Sequence, residues 1–389
     1  FFRKLFMKKV VIIGAGISGL LIANLLRQDS NYEVTLYEKN NSINLEKGYG
    51  VQLSVNSIKL LNKINFQTIN SQNKFNPNKV DFYSLKNKNK ICDLDISTFN
   101  TYEAKYTTLQ RTTLVEFLKD KLPNNLIQYN KKVNKVSSQN EIIDLTFDGN
   151  SSAECDFLII SDGVFSSTKS LIANKDIKPK YFKSLAIRAT IDQKNLKHIN
   201  NSNISLFLGS NFHSVIYPVN KGNEFNFIGI LRKNLSENEI KNSSLFKDED
   251  FISSILLDLS HQIDQDILNN LKNIKCFPIF TSEEIYHPKQ KNIFLIGDAF
   301  FALPPTFAQG ASQAIEIAFE LYKNFQNGSN EFTNTRIKRT KIINKKSKLN
   351  HFAFHLSNPF MVFTRDLLMK YLVKNKKFIN SYFGKIYKN

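Results

Sequence analysis

Gly14-Ala15-Gly16-Ile17-Ser18-Gly19 places three glycines at the spacing of a turn that receives phosphate. Gly14 permits the tight turn, Gly16 lets backbone approach a pyrophosphate, and Gly19 lets the next helix pack against the preceding strand. That helix directs its first N–H groups, and the positive end of its dipole, at the phosphates. Glu38, with Lys39 beside it, lies 19 residues beyond Gly19. A carboxylate there accepts from ribose hydroxyls and repels a 2′-phosphate. The pattern predicts a bound dinucleotide and does not separate FAD from NAD. A second group is Phe212-His213-Ser214-Val215-Ile216-Tyr217-Pro218. At strand period, residues 213, 215 and 217 share one face, so an imidazole and a phenol project toward one pocket. A histidine placed there can deprotonate a phenol, although a satisfied core histidine and a core tyrosine fit equally well. Arg188, expected in the neighbouring strand, is read as a surface salt bridge in preference to a partner for an acidic ligand.

These residues need elements to hold them. Lys9 to Ile13 is a short apolar run, a helical pattern follows through Leu26, and Glu33 to Tyr37 reads as a second strand, which makes one βαβ unit. Ser54 to Ile64 and Thr112 to Leu122 read as helices, and Val80 to Leu94 as strand with turns. Asp156 to Ile160 is a buried strand that stops at Ser161-Asp162-Gly163. Tyr181 to Arg232 alternates in short runs and predicts an antiparallel sheet. Asp250 to Leu271 reads as helix, Asn292 to Ile296 as a last buried strand, and Gln309 to Asn327 as a long helix. The expected fold class is α/β. It comprises a discontinuous Rossmann-like nucleotide domain (7–78, 106–178, 281–330), an antiparallel β-sheet substrate domain (79–105, 179–280) and a helical C-terminal segment (331–389).

Asp156-Phe157-Leu158-Ile159-Ile160-Ser161-Asp162-Gly163-Val164-Phe165-Ser166 resembles the Asp-Gly motif of the single-component flavoprotein monooxygenases. Gly297-Asp298-Ala299, followed by Pro304-Pro305 and Gln309-Gly310-Ala311, resembles their Gly-Asp motif. Arg111 matches the arginine that family places before its second helix, and Gly48-Tyr49-Gly50-Val51-Gln52-Leu53 is similar to its segment beside the flavin. The family includes para-hydroxybenzoate, salicylate and urate hydroxylases and the ubiquinone-ring hydroxylases, and the resemblance spans roughly residues 7 to 370. It implies FAD as cofactor, NAD(P)H as a transient co-substrate, and O2-dependent hydroxylation of a small aromatic or similarly activated compound. It assigns Gly50, Val51, Arg111, Asp162, Gly163, Asp298, Gly310 and Ala311 to the cofactor, and Pro305 to a pocket above the flavin. Asp298 ends a strand where it can accept from a ribityl hydroxyl, and the helix from Gly310 points unpaired N–H groups at the flavin's pyrimidine end. Three positions depart from the family: Phe301 stands for its usual His, Lys169 for Arg, and Ser161 for Ala. Only one GxGxxG occurs, which leaves no second nucleotide site for a nicotinamide. Alternatives are action on a membrane-associated quinone precursor or isoprenoid, and oxidoreduction without oxygen insertion. Flavin halogenases share the fold, but their Trp-containing signature cannot exist in a chain with no Trp.

With 389 residues, 42% of them apolar, the chain suits two packed domains and not a disordered segment. No stretch reaches the roughly 18 apolar residues of a membrane span. The formal charge of +19 comes from 45 Lys and only 8 Arg. A solvated Lys surface accounts for it better than a nucleic-acid site, which favours clustered Arg. Cys92, Cys155 and Cys276 have neither disulfide-framework nor zinc spacing, which suits a reducing, cytoplasmic compartment without a metal. Met7 is the expected start, with the six residues before it an upstream extension. Near the C-terminus, Phe360 to Phe363 and Leu367 to Met369 alternate with Arg365, Lys370 and Lys374. That pattern predicts an amphipathic helix packing its apolar side on the nucleotide domain, with a membrane surface as the second reading.

Overall fold

The computed structural model describes residues 7–43, 45, 49–196, 199–222, 224–328 and 331–387. The expectations for the first six residues and for Gly48 lie outside these described residues. In chain order the elements are β1 (Lys8–Ile13), α1 (Ile17–Leu26), β2 (Tyr32–Tyr37), β3 (Gly50–Leu53), α2 (Val55–Asn62), β4 (Lys74–Phe75), β5 (Lys79–Ser84) and β6 (Lys90–Asp95). There follow β7 (Thr107–Gln110), α3 (Arg111–Lys119), β8 (Ile127–Gln128), β9 (Val133–Gln139), β10 (Ile142–Phe147), β11 (Ser152–Cys155), β12 (Phe157–Ile160) and α4 (Ser167–Ala173). Then come β13 (Lys180–Asp192), β14 (Ile204–Leu208), β15 (Phe212–Pro218), β16 (Glu224–Arg232), α5 (Glu237–Lys241), α6 (Glu249–Leu259), α7 (Gln265–Asn269) and β17 (Lys272–Thr281). The last part carries β18 (Ile293–Leu295), α8 (Asp298–Phe301), α9 (Gly310–Asn327), α10 (Phe332–Phe354) and α11 (Pro359–Leu372).

Val10-Val11-Ile12-Ile13 and Leu158-Ile159-Ile160 are runs without a polar face, and both become fully covered strands of a parallel sheet ordered β18-β12-β1-β2-β8. Ile13 pairs with Ile160 on one side and Tyr37 on the other, and Ile160 pairs with Leu295. The strands therefore end in one row. Gly14, Glu38, Ser161 and Gly297 all emerge at the same carboxyl edge, where open α/β sheets receive ligands. Helix α1 is buried on almost every side, with Leu20, Leu21, Ile22 and Leu26 fully covered between the sheet and α9.

The second layer is a seven-stranded sheet ordered β17-β13-β16-β15-β14-β5-β6, antiparallel except for the parallel pair β5 and β14. Strands β9 to β11, in a stretch with no clear sequence signal, form a small antiparallel sheet. The expected helix over 250–271 divides into α6 and α7, because Asp264 starts a new helix by accepting from the Asp266 N–H.

The expectation for α11 is corrected by its rotation. Arg365 points inward, where its guanidinium binds Asp366 (2.8 Å from Nε) and the Ala353 carbonyl of α10 (3.1 Å). That anchor leaves Phe360, Phe363, Leu367 and Leu368 exposed instead of packed on the domain. No helix among the described residues is long and apolar enough to cross a membrane.

Candidate flavin and substrate site

The three glycines of the first turn are constrained differently. Gly14 has φ +99°, and a Cβ on it would lie 2.7 Å from the Ser161 carbonyl oxygen. A Cβ on Gly19 would meet the Gly14 carbonyl oxygen at 2.0 Å, whereas one on Gly16 would meet nothing. The first and third glycines are therefore demanded by the protein, and the second leaves room for a ligand. Glu38 is buried and accepts from the Ala15 N–H with one oxygen (2.9 Å) and from Asn40 with the other (3.0 and 2.7 Å). A carboxylate has about four acceptor positions, so one remains for a ribose hydroxyl. Lys39 is exposed beside it. Ile17 and Ser18 open α1, and the Ser18 hydroxyl sits so close to Gly297 that a Cβ there would lie 2.5 Å away.

Two of the departures from the family have structural consequences. The Ser161 hydroxyl lies 2.8 Å from both the Ile13 and Gly14 carbonyls, tying β12 to the glycine turn. Lys169, on α4, crosses to donate to the Ala299 carbonyl at 3.1 Å. It thus links the Asp162-Gly163 turn to Gly297-Asp298 with one cation, which burial shifts below its ordinary pKa. Phe301 is buried in the core.

Asp298 faces a cavity of about 800 Å³, yet enough protein surrounds it that burial raises its carboxyl to about 6, opposed by the Arg111 charge. Arg111 opens α3, with its N–H on the Tyr49 carbonyl at 2.7 Å. Its guanidinium is pushed below its usual value by burial and then by Arg188. Pro305 and Gly310 line the same cavity, and Gly310 starts the 18-residue α9 with open space before it. Ala311 lies in the first turn of that helix. Gly50 approaches the second sheet closely: a Cβ would lie 2.8 Å from the Tyr217 ring, and its N–H donates to Asn226 Oδ1 at 2.6 Å. Val51 follows it along the cavity wall.

The opposite wall carries His213, Val215 and Tyr217 from β15, together on one face. His213 is fully buried. Its imidazolium is destabilised first by burial and then by His355 and His351, so its pKa falls well below the ordinary value. Tyr217 is raised by burial against the opposing pull of Arg188, and its hydroxyl meets Gln52 and Asn226. Gln52 also accepts from the Tyr106 hydroxyl at 2.8 Å. The expectation for Arg188 is corrected twice. Strand β16 separates β13 from β15, so Arg188 is not in the adjacent strand. Among the described residues it also makes no salt bridge; its guanidinium lies 5.2 Å from the Tyr49 ring centroid and lines the cavity. Tyr106, Asn226, His351 and His355 went unread in the sequence, since none sits in a spaced motif, and Gln52 was read only as part of the segment beside the flavin.

FAD fits this edge. Open space stands before Gly16, Gly163 and Gly310, and Gly163 has φ +87°. Two buried polar atoms, Asp162 Oδ1 and Gln309 Nε2, have no protein hydrogen-bond partner among the described residues and point to a ligand that supplies one. Among the described residues no group of three or more His, Cys, Asp or Glu is placed to hold a metal ion.

Residues 7–331 match the family described as FAD binding domain. The chain is 22% identical over 387 residues to 6-hydroxynicotinate 3-monooxygenase of Bordetella bronchiseptica, covering 95% of this chain and 98% of the relative. It is 21% identical to 3-amino-4-hydroxybenzoate 2-monooxygenase PtnB3 of Streptomyces platensis, covering 90% and 89%. Its fold matches Klebsiella pneumoniae HpxO complexed with FAD and uric acid at a TM-score of 0.83, with 18% identity and 97% of each chain covered. With its glycine turn, Asp-Gly and Gly-Asp segments gathered on one sheet edge, the chain belongs to the FAD-binding-domain family and is an FAD-dependent monooxygenase.

Proposed function

We propose that this protein hydroxylates a small ring phenol, with NAD(P)H as transient reductant and O2 as oxidant. The observation that carries the reading is convergence. His213, Tyr217 and Arg188 face the same cavity as Gly50, Asp298 and Pro305. The two monooxygenase relatives are named for ring substrates that carry a hydroxyl. In this reading Gly14 to Gly19, Glu38, Asp162, Gly163, Arg111, Asp298, Gly310 and Ala311 hold FAD, which when bound supplies the redox and oxygen chemistry. The three-part nucleotide domain and two-part substrate domain divide the chain along the same lines.

The residues of this chain do the rest. His213 accepts the phenol proton and raises ring electron density. Tyr217 donates to or accepts from a ring substituent, and Arg188, which has no acidic partner among the described residues, balances negative charge on the bound ring. The largely apolar walls exclude water while the ring is in place. The test is NAD(P)H oxidation with matching O2 uptake, stimulated by a panel of phenols, with a product that has gained one hydroxyl. Nicotinamide oxidation that runs equally under nitrogen with an organic acceptor would defeat the proposal.

A further inference from the structure

The C-terminal helices present an apolar surface with an opening in it. On α11, Phe360 (75% exposed), Phe363 (66%), Leu367 (59%) and Tyr371 (67%) follow one another at helical spacing and form an outward stripe. The helix's other faces are also apolar: Met361, Leu368 and Met369 line the large cavity. Leu349 and Phe352 of α10, with Met361 and Leu368 of α11, are apolar residues both exposed and part of the cavity lining. The cavity therefore opens to the surface between these two helices, next to the stripe.

Charge identifies the partner. Residues 331–389 contain 14 Lys and Arg against 2 Asp and Glu, a net of +12 of the chain's +19. Asp366, one of the two acids, is already paired with Arg365. Lys345 and Lys348 beside the opening, and Lys370, Lys374, Lys376 and Lys377 beyond the stripe, are exposed. An apolar stripe framed by lysines suits a surface that is apolar inside and anionic at its rim. Two copies of the same face would bring their lysines together, which opposes self-association.

We propose that the outer stripe of α11 seats on an anionic lipid bilayer, so that the opening between α10 and α11 draws its ligand from the membrane. The ligand class that follows is an aromatic ring bearing an alkyl chain, the ring near His213 and the chain along the apolar lining toward Leu349 and Leu368. The seating on lipid stands by itself; only the ring rests on the hydroxylase reading.

The chain has no Trp, so Leu367→Trp in the FAD-loaded protein supplies a single reporter. Its emission should shift to the blue, and be quenched by brominated lipid, with phosphatidylglycerol vesicles and much less with phosphatidylcholine. Phe363→Asp with Leu367→Asp, at two positions outside the cavity lining, should lower vesicle co-sedimentation by at least about tenfold. That double variant should keep its flavin and its turnover of a water-soluble phenol. A Trp emission unmoved by anionic vesicles, or a double variant that sediments unchanged, overturns the proposal. So does a lipid-free dimer, seen by sedimentation velocity, that the double variant breaks. For the ligand class, 4-heptylphenol should perturb the flavin absorbance at a concentration at least about tenfold lower than phenol does; equal half-saturation overturns that part. Vesicle insertion without turnover of any phenol would defeat the hydroxylase reading and leave the seating intact.

Discussion

Nδ1 of His213 lies 2.9 Å from Nε2 of His355, and Nδ1 of His355 lies 2.7 Å from the His351 carbonyl. The second contact requires a proton on His355 Nδ1, which leaves its Nε2 as an acceptor. His213 then donates through Nδ1 and keeps the lone pair of Nε2 for the cavity. These proton positions are assigned from the two shortest contacts. The Ile230 carbonyl, 3.1 Å from His355 Nε2, favours the opposite tautomer but through the longer contact. A histidine just past the end of α10 thus determines which nitrogen of a sheet histidine can act as base.

His213→Ala should lower coupled hydroxylation by about 10²–10⁴-fold with FAD content and substrate-free reduction preserved. His355→Ala should leave flavin and KM nearly unchanged and reduce kcat by roughly tenfold, since the base survives but its tautomer is no longer held. His355→Asn, which restores an acceptor, should recover part of that loss. Steady-state kinetics on flavin-replete protein separates these outcomes.

The pH dependence has a definite sign. Burial, followed by His355 and His351, depresses His213, so the acid limb of turnover should have its midpoint below the usual 6.5 or so. Stability follows the same groups. The unfolded chain protonates its histidines near about 6.5, while burial holds His355 down to about 4 and His351 to about 3 in the fold. Their contribution is complete above the unfolded value and is lost as pH falls below it toward the folded values. The melting temperature should therefore fall between about pH 6.5 and 4, and less steeply in His351→Gln.

Asp298→Ala should weaken FAD retention by about tenfold or more, as expected for losing one hydrogen bond to a charged group, about 1.5–3 kcal/mol. The flavin-to-protein ratio after extensive dialysis, followed by titration of the apoprotein, measures it.

Glu316 on α9 is buried between Arg336 and Arg339 of α10, with contacts at 3.1 and 2.6 Å, and Arg339 also donates to the Ile386 carbonyl at 2.9 Å. Burial would raise Glu316, but the Arg339 hydrogen bond and both guanidinium charges hold its pKa down. Glu316→Ala leaves two buried cations with weakened compensation and should cost about 3–5 kcal/mol in denaturant unfolding, with the chain's final turns loosened first.

The cofactor edge was legible because its signals are local. Gly14 and Gly163 need positive φ, the apolar runs at 10–13 and 158–160 have the length of covered strands, and Asp298, expected to end a strand, opens α8 three residues after β18 ends. The face shared by 213, 215 and 217 is a consequence of strand period alone. What could not be read depends on distant chain. Arg188 looked like a surface residue because its setting is made by Tyr49 and Tyr217, which no spacing rule connects to it. His355 lies 142 residues from His213, just past the end of the lysine-rich α10. The orientation of α11 followed from one buried guanidinium and not from its hydrophobic pattern.

Ile13 is paired with Tyr37 and with Ile160, and Ile160 in turn with Leu295. The nascent chain consequently carries β1 through the synthesis of more than a hundred residues before β12 arrives, and β12 keeps an open edge until β18 emerges. High contact order of this kind slows folding and leaves Val- and Ile-rich backbone available for intermolecular pairing. Premature termination before residue 293 yields a polypeptide whose sheet ends on β12, an apolar strand left as an uncovered edge, which makes such fragments aggregation-prone and chaperone-dependent.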